Sequence, residues 1–223
     1  MFPLYDTVRT RKFPLVNLLL IIANVLAFLY EIQMGPSTLQ RFIFTWGLIP
    51  ARFLSDPSRM WLTIFTAMFL HGGWFHIISN LWVLFIFGDN VEERMGSFRY
   101  LLFYLLSGTA AGLLQVYILP ASGTPMIGAS GAIAGVLGAY LILYPRSKIA
   151  SLVPIFFIFT LIEIPAFIFL IFWFLSQLYS GLFAVQGGGG SGIAWWAHVG
   201  GFSFGVLMVS FFARRRQTVY KSY

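Results

Sequence analysis

The sequence contains no cysteine, which excludes disulfides, a thiolate nucleophile and sulfur-based metal sites. Charge is scarce too: Asp, Glu, Lys and Arg make up 9% of the 223 residues, where soluble domains carry about 25%. With 59% hydrophobic residues and a mean hydropathy of +0.84, a soluble globular chain is excluded and a polytopic membrane protein is expected. The net charge of +7 would suit nucleic acid, but the basic residues stand in short clusters beside apolar runs, a distribution that sets membrane orientation. No nucleic-acid partner is therefore expected. Histidine is limited to His71, His76 and His198, so few imidazoles are available for proton transfer.

What is present in quantity is long apolar sequence. At about 20 residues per spanning helix, the chain divides into six expected spans at about 14–30, 74–88, 100–119, 130–144, 165–184 and 194–213. They form one membrane domain over 1–223, an all-α, six-helix bundle. Arg9, Arg11 and Lys12 precede the first span and no small-residue cleavage site follows it, so the span is expected to be retained. Residues 31–70 carry Gly35-Pro36, Pro50, Asp56-Pro57 and scattered aromatics; they read as a partly buried first outer loop with short interfacial helices. Residues 89–99 read as a charged turn, 149–162 as an apolar segment at the membrane edge, and 186–192 as a flexible glycine-rich loop. Six spans put both termini on one side. Arg9, Arg11, Lys12, Arg94, Arg99, Arg146, Lys148, Arg214, Arg215, Arg216 and Lys221 fall on that side, and Arg41, Arg52 and Arg59 on the other. The positive-inside rule makes the termini cytoplasmic.

Chemistry is suggested by Gly128-Ala129-Ser130-Gly131, a hydroxyl at a glycine-lined turn where backbone N–H groups can approach a reacting carbonyl. Such a pattern also recurs as plain helix-contact surface in Gly-rich membrane proteins. The topology adds weight to the first reading. Ser130 and His198 lie near the outer ends of the fourth and sixth spans, and His76 and Asn80, at i and i+4, share a face in the outer part of the second. Each alone could be interfacial or interhelical glue, but four polar groups from three spans meeting at one depth mark a functional site. About 15 residues from Ser130 to Tyr144 rise about 22 Å, short of a hydrocarbon core about 30 Å thick. Ser130 should therefore lie below the outer surface, in a cavity that water reaches. Gly201 and Gly205 follow His198 at i+3 and i+7, which lets the backbone of the Ser130 helix come close, with Gly131, Ala134, Gly135 and Gly138 offered in return. No acidic residue is placed to orient His198, so a Ser-His dyad is expected rather than a triad.

These residues resemble the rhomboid family of intramembrane serine proteases: H-x-x-x-N at His76 and Asn80, G-x-S-G at Ser130, A-H-x-G-G at Ala197, His198, Gly200 and Gly201, and an E-x-R-x-G turn at Glu92, Arg94 and Gly96. The resemblance covers the chain from about Trp61 onward. It implies a bacterial-type six-helix core, in a bacterial inner membrane, that cleaves transmembrane protein substrates in or near their membrane segments and needs no cofactor or metal. It also implies that Ser130 attacks, that His198 is general base and then acid, and that His76, Asn80 and the Ser130 backbone N–H hold the oxyanion. Two positions depart from the family pattern. Ala134 stands where many rhomboids carry a Tyr or Phe that packs on the histidine, and Trp61 is followed by Leu62 rather than Arg. The competing expectations are a catalytically inactive rhomboid-like binding or quality-control protein, which should lack Ser130 or His198, and a small transporter using Glu163 as an ion ligand. The second is disfavoured because Pro165 places Glu163 at a helix start.

Overall fold

Small residues decide which helix sits in the middle. In the computed structural model, which describes residues 2–155, 158–185 and 192–214, helix α8 (Ser130–Leu143) is buried continuously from Gly131 to Tyr140. Its Gly and Ala residues let three neighbours close in: α6 (Trp74–Met95), α7 (Ser97–Ile118) and α10 (Trp195–Phe212). The tightest seam is with α10. A β-carbon on Gly205 would stand 2.1 Å from the Gly135 carbonyl oxygen, and one on Gly138 would stand 2.2 Å from that of Phe202. No residue larger than glycine fits without parting the helices.

Helix α1 (Leu15–Glu31) is fastened to this core at its start. The Glu92 carboxylate accepts from the Val16 and Asn17 backbone N–H groups at 3.1 and 2.7 Å and from Ser97 Oγ at 2.6 Å. It thus satisfies first-turn donors that the helix leaves unpaired. Asn17 in turn accepts from the buried Tyr100 hydroxyl at 2.8 Å and donates to the Leu84 carbonyl at 3.2 Å. The charged turn expected over 89–99 is corrected here. Helix α6 runs on to Met95, and the reversal into α7 is made at Gly96, with φ +83°. Asp89, Asn90 and Glu92 can be helical because their polar atoms bind the N-terminal segment: Thr10 Oγ1 donates to Asp89 at 3.0 Å, and Asn90 Nδ2 donates to Asp6 at 2.9 Å.

The all-α expectation is also corrected. Strands β1 (Phe2–Asp6), β2 (Lys148–Ile155) and β3 (Ile158–Pro165) form an antiparallel sheet in the order β1-β2-β3, with Phe2 opposite Leu152 and Lys148 opposite Pro165. The stretch expected as an apolar edge segment is rich in β-branched residues, among them Ile149, Val153, Ile158, Thr160 and Ile162, which suit a pleated, half-buried surface. β1 lies against α6, where Trp82 Nε1 donates to the Pro3 carbonyl at 2.7 Å and the Phe2 and Trp82 rings stack at 5.9 Å. Glu163 is in β3 rather than at a helix start, and its carboxylate pairs with Lys148 Nζ at 2.7 Å. Helix α9 (Ala166–Val185) begins after Pro165.

At the β1 end, Asp6 also accepts from the Tyr140 hydroxyl. Burial pushes its carboxyl up to about 6, Asp89 adds to the rise, and the Tyr140 hydrogen bond opposes it. The folded state therefore holds a proton between about pH 4 and pH 6 that the unfolded chain has released. Stability from this group is complete below about pH 4 and is lost as the pH rises through about 6. The melting temperature in detergent should fall modestly from pH 5 to pH 7, and Asp6→Asn should flatten that slope; an unaltered slope would contradict the assignment.

Between α1 and α6 the chain forms α2 (Pro36–Trp46), α3 (Pro50–Ser55), α4 (Pro57–Met60), α5 (Thr63–Thr66) and a 3-10 turn at Ala67–Phe69. Among the described residues, α7, α9 and α10 are long and apolar enough to cross a membrane. A fourth counts if Thr63–Phe69 and α6, bent by 94°, form one span, and α1 and α8 are shorter apolar helices. Large apolar side chains such as Leu26, Phe85, Phe172, Phe183 and Leu207 face outward, a surface that needs lipid. The chain is an integral, multi-pass membrane protein. The glycine-rich loop expected over 186–192 lies outside the described residues except for Gly192, as do Arg215, Arg216 and Lys221.

Candidate active site

Ser130 is the first residue of α8, so its backbone N–H lies in the turn where helical donors have no intrahelical acceptor. The loop before it is held at several points. Leu48 and Met126 exchange backbone hydrogen bonds at 3.1 and 2.8 Å, and the Gly128 N–H donates to the Ala67 carbonyl at 2.8 Å. Gly128 has φ +119°, and a β-carbon there would stand 2.6 Å from His76 Nε2. Glycine is thus required twice over, by backbone conformation and by the imidazole beside it.

His198, one turn into α10, faces the serine across the glycine seam. Its Nε2 lies 2.8 Å from Ser130 Oγ. The approach depends on Gly201, where a β-carbon would stand 1.9 Å from the Gly131 carbonyl oxygen and 3.3 Å from Ala134 Cβ. The other imidazole nitrogen, Nδ1, lies 2.7 Å from Gln177 Oε1 of α9. The Trp173 and Trp195 ring centres are 6.0 and 6.1 Å from that of the imidazole, at 35° and 88°.

His76 and Asn80 stand in the first two turns of α6. The Gly72 N–H donates to His76 Nδ1 at 3.3 Å, which assigns Nδ1 as acceptor and leaves Nε2 carrying the hydrogen, turned toward Gly128. Asn80 Nδ2 donates to the His76 carbonyl at 2.9 Å, which uses one of its two hydrogens and leaves the other for a ligand. All four residues line one cavity of about 360 Å³, walled also by Met68 and Trp195. Behind His76 lies a buried pair. Both Glu31 carboxylate oxygens accept from the His71 backbone N–H at 3.2 Å, and the His71 ring packs edge-on to His76 at 5.1 Å.

The structure thus brings Ser130, His198, His76 and Asn80 together, with Gly128, Gly131, Gly201 and Gly205 at the closest backbone approaches. Gln177, Trp173 and the Glu31–His71 pair at the site were not singled out from sequence. A glutamine inside the apolar run of α9 is the one signal that could have found Gln177, since a polar group in a membrane segment demands a partner. Chemically, a hydroxyl in contact with a neutral imidazole, beside N–H donors at a helix start, suits attack on a carbonyl and stabilisation of the resulting oxyanion.

Comparison with known proteins points to one family. Residues 58–215 match the Rhomboid domain. Rhomboid-like protein 11, chloroplastic, of Arabidopsis thaliana is 36% identical over 113 residues, 51% of this chain and 40% of that protein. The putative rhomboid protease YdcA of Bacillus subtilis (strain 168) is 29% identical over 131 residues, 59% of this chain and 63% of that protein. The inactive RHOMBOID-like protein 8 of Arabidopsis thaliana is 32% identical over 136 residues, 57% and 37% of the two chains. In each case the match spans less than two thirds of the relative's length.

Proposed function

The chain belongs to the rhomboid family, and from that premise we propose that it is an intramembrane serine endopeptidase that cleaves other membrane proteins in or near their transmembrane segments. The observation that carries the proposal is the 2.8 Å contact between Ser130 Oγ and His198 Nε2 inside a cavity. One relative is named inactive. This chain keeps both a hydroxyl and an imidazole in hydrogen-bonding contact, which favours the catalytic reading over an inactive binding protein.

In the proposed reaction Ser130 Oγ attacks the scissile carbonyl carbon while its proton passes to His198 Nε2. The carbonyl oxygen, now negative, accepts hydrogen bonds from His76 Nε2–H, the free Asn80 hydrogen and the Ser130 backbone N–H. His198 then returns the proton to the leaving amine and the C–N bond breaks, leaving an ester on Ser130. A water molecule, deprotonated by His198, attacks the ester carbon; the bond to Ser130 Oγ breaks, His198 returns the proton to that oxygen, and the second product leaves. We further propose a single domain over 1–223 with six spans, α1, α6, α7, α8, α9 and α10. Both termini are cytoplasmic and the site opens to the outer face of a bacterial inner membrane. The basic residues at the ends opposite the site support that orientation. Incubating the detergent-purified protein with a panel of single-span membrane proteins tests the activity: cleavage of at least one, lost in Ser130→Ala, is expected, and no Ser130-dependent cleavage of any would overturn it.

The oxyanion assignment gives its own test. Asn80→Ala and His76→Ala should each lower kcat by about ten- to a thousandfold, roughly 1.4 to 4 kcal/mol, with little change in KM. If these residues only brace the helices, melting temperature should drop instead and activity should track the folded fraction. An unchanged kcat per folded molecule in both variants would remove them from the oxyanion hole.

A further inference from the structure

We infer that Gln177 is a positioning residue for His198, so that a hydrogen-bonded chain runs Ser130–His198–Gln177 and is assembled from three helices rather than two. The inference rests on the protease reading for its effect on rate, but the hydrogen bond itself stands apart from any activity. His198 Nδ1 lies 2.7 Å from Gln177 Oε1, closer than two lone pairs tolerate. Nδ1 must therefore carry the hydrogen, provided that the amide presents its oxygen. The rest of the amide supports that orientation. Gln177 Nε2 donates to Ser176 Oγ at 3.0 Å, and Ser176 Oγ in turn donates to the Trp173 carbonyl at 2.6 Å. The NH2 end is thereby committed away from the imidazole and the oxygen toward it.

The consequence reaches the serine. With Nδ1 protonated, His198 Nε2 holds a lone pair and faces Ser130 Oγ as an acceptor, the tautomer a general base needs. When the Ser130 proton arrives at Nε2, the Nδ1–H bond to the amide oxygen remains and steadies the imidazolium. Trp173 stands one turn before Gln177 on the same helix, and its ring lies 6.0 Å from the imidazole at 35°. On α10 itself, Trp195 stands edge-on to the imidazole at 6.1 Å. Gln177 and Trp173 both come from α9, a helix with most of its surface outside the core. His198 is held in register only while α9 is docked on α10. Among the described residues, the ionisable side chain that faces the site beside His198 is His76 of α6.

Gln177→Met keeps the side-chain length and removes the acceptor, and Gln177→Glu keeps the acceptor and adds a charge. We expect Gln177→Met to lower kcat by about ten- to a hundredfold with KM nearly unchanged. Gln177→Glu should move the acid limb of the kcat–pH profile upward by about one unit or more, because a carboxylate favours the imidazolium; a bracing residue would not move it. The second readout needs no turnover. With three histidines in the chain, 15N-histidine labelling gives resolvable ring signals. His198 should show a protonated Nδ1 and a bare Nε2 in the wild type and a mixture of tautomers in Gln177→Met. A wild type with no Ser130-dependent cleavage would defeat the protease reading while the tautomer spectrum still decides the Gln177 bond. The same His198 tautomer and the same kcat per folded molecule in Gln177→Met as in the wild type would overturn the inference.

Discussion

Ser130→Ala and His198→Ala should each reduce proteolysis to background, a loss on the order of a millionfold where the wild-type rate is high enough to read it. Removing the nucleophile or the base of a unit that works together costs about as much as removing the whole unit. Among the described residues nothing nearby substitutes. The other hydroxyl that the described residues place on the cavity wall, Ser79, donates to the His76 carbonyl at 3.0 Å on α6, and the chain has no cysteine. The Ser130→Ala protein should hardly lose stability, because it gives up one half-buried hydrogen bond worth about 1 kcal/mol. Rates of substrate cleavage and melting temperature, measured on the same preparations, check both halves. Clear residual cleavage by pure Ser130→Ala would sink the mechanism.

The second large effect belongs to a residue that touches no substrate. Gly201→Ala should lower both activity and stability, because its new methyl would sit 1.9 Å from the Gly131 carbonyl oxygen and 3.0 Å from the carbonyl carbon. The obstacle is backbone and cannot rotate away. Helices α8 and α10 have to part, and overpacking of this kind costs about 1 to 3 kcal/mol or more. The same shift carries His198 off Ser130, and about 1 Å of misplacement costs about a hundredfold in rate. Gly35→Ala, at a position with open space around it, is the control and should change neither. A Gly201→Ala protein with wild-type kcat per folded molecule would show that the seam does not set the distance between the two side chains.

Sequence made the residues of the candidate site easier to pick out than the architecture around them. Ser130, His198, His76 and Asn80 stood out because a polar group in an apolar span is costly and rarely idle, and helical spacing alone put His76 and Asn80 on one face. Gly201 and Gly205 were legible for a similar reason: their i+3 and i+7 spacing from His198 predicts a smooth face. The sheet was not legible. β1 pairs with β2 across more than 140 residues, Phe2 lying opposite Leu152, and a largely apolar run such as 158–162 shows no alternation to separate strand from buried helix. Helix α6 outlasted its expected end because Asp89, Asn90 and Glu92 meet partners in residues 6–17, a distant match that no local pattern reports. Gln177 escaped because its distance from His198 along the chain has no characteristic spacing. The bond exists only once α9 and α10 pack side by side.

The most direct test of the central claim is labelling with a serine-directed fluorophosphonate, the modified residue then being identified by peptide mass spectrometry. The proposed relay predicts one adduct, on Ser130, in the folded wild type, and none on Ser130→Ala. His198→Ala should label far more slowly, because the hydroxyl keeps its proton. An adduct on another serine, or equal labelling of the wild type and His198→Ala, would contradict the assignment of Ser130 as a nucleophile activated by His198.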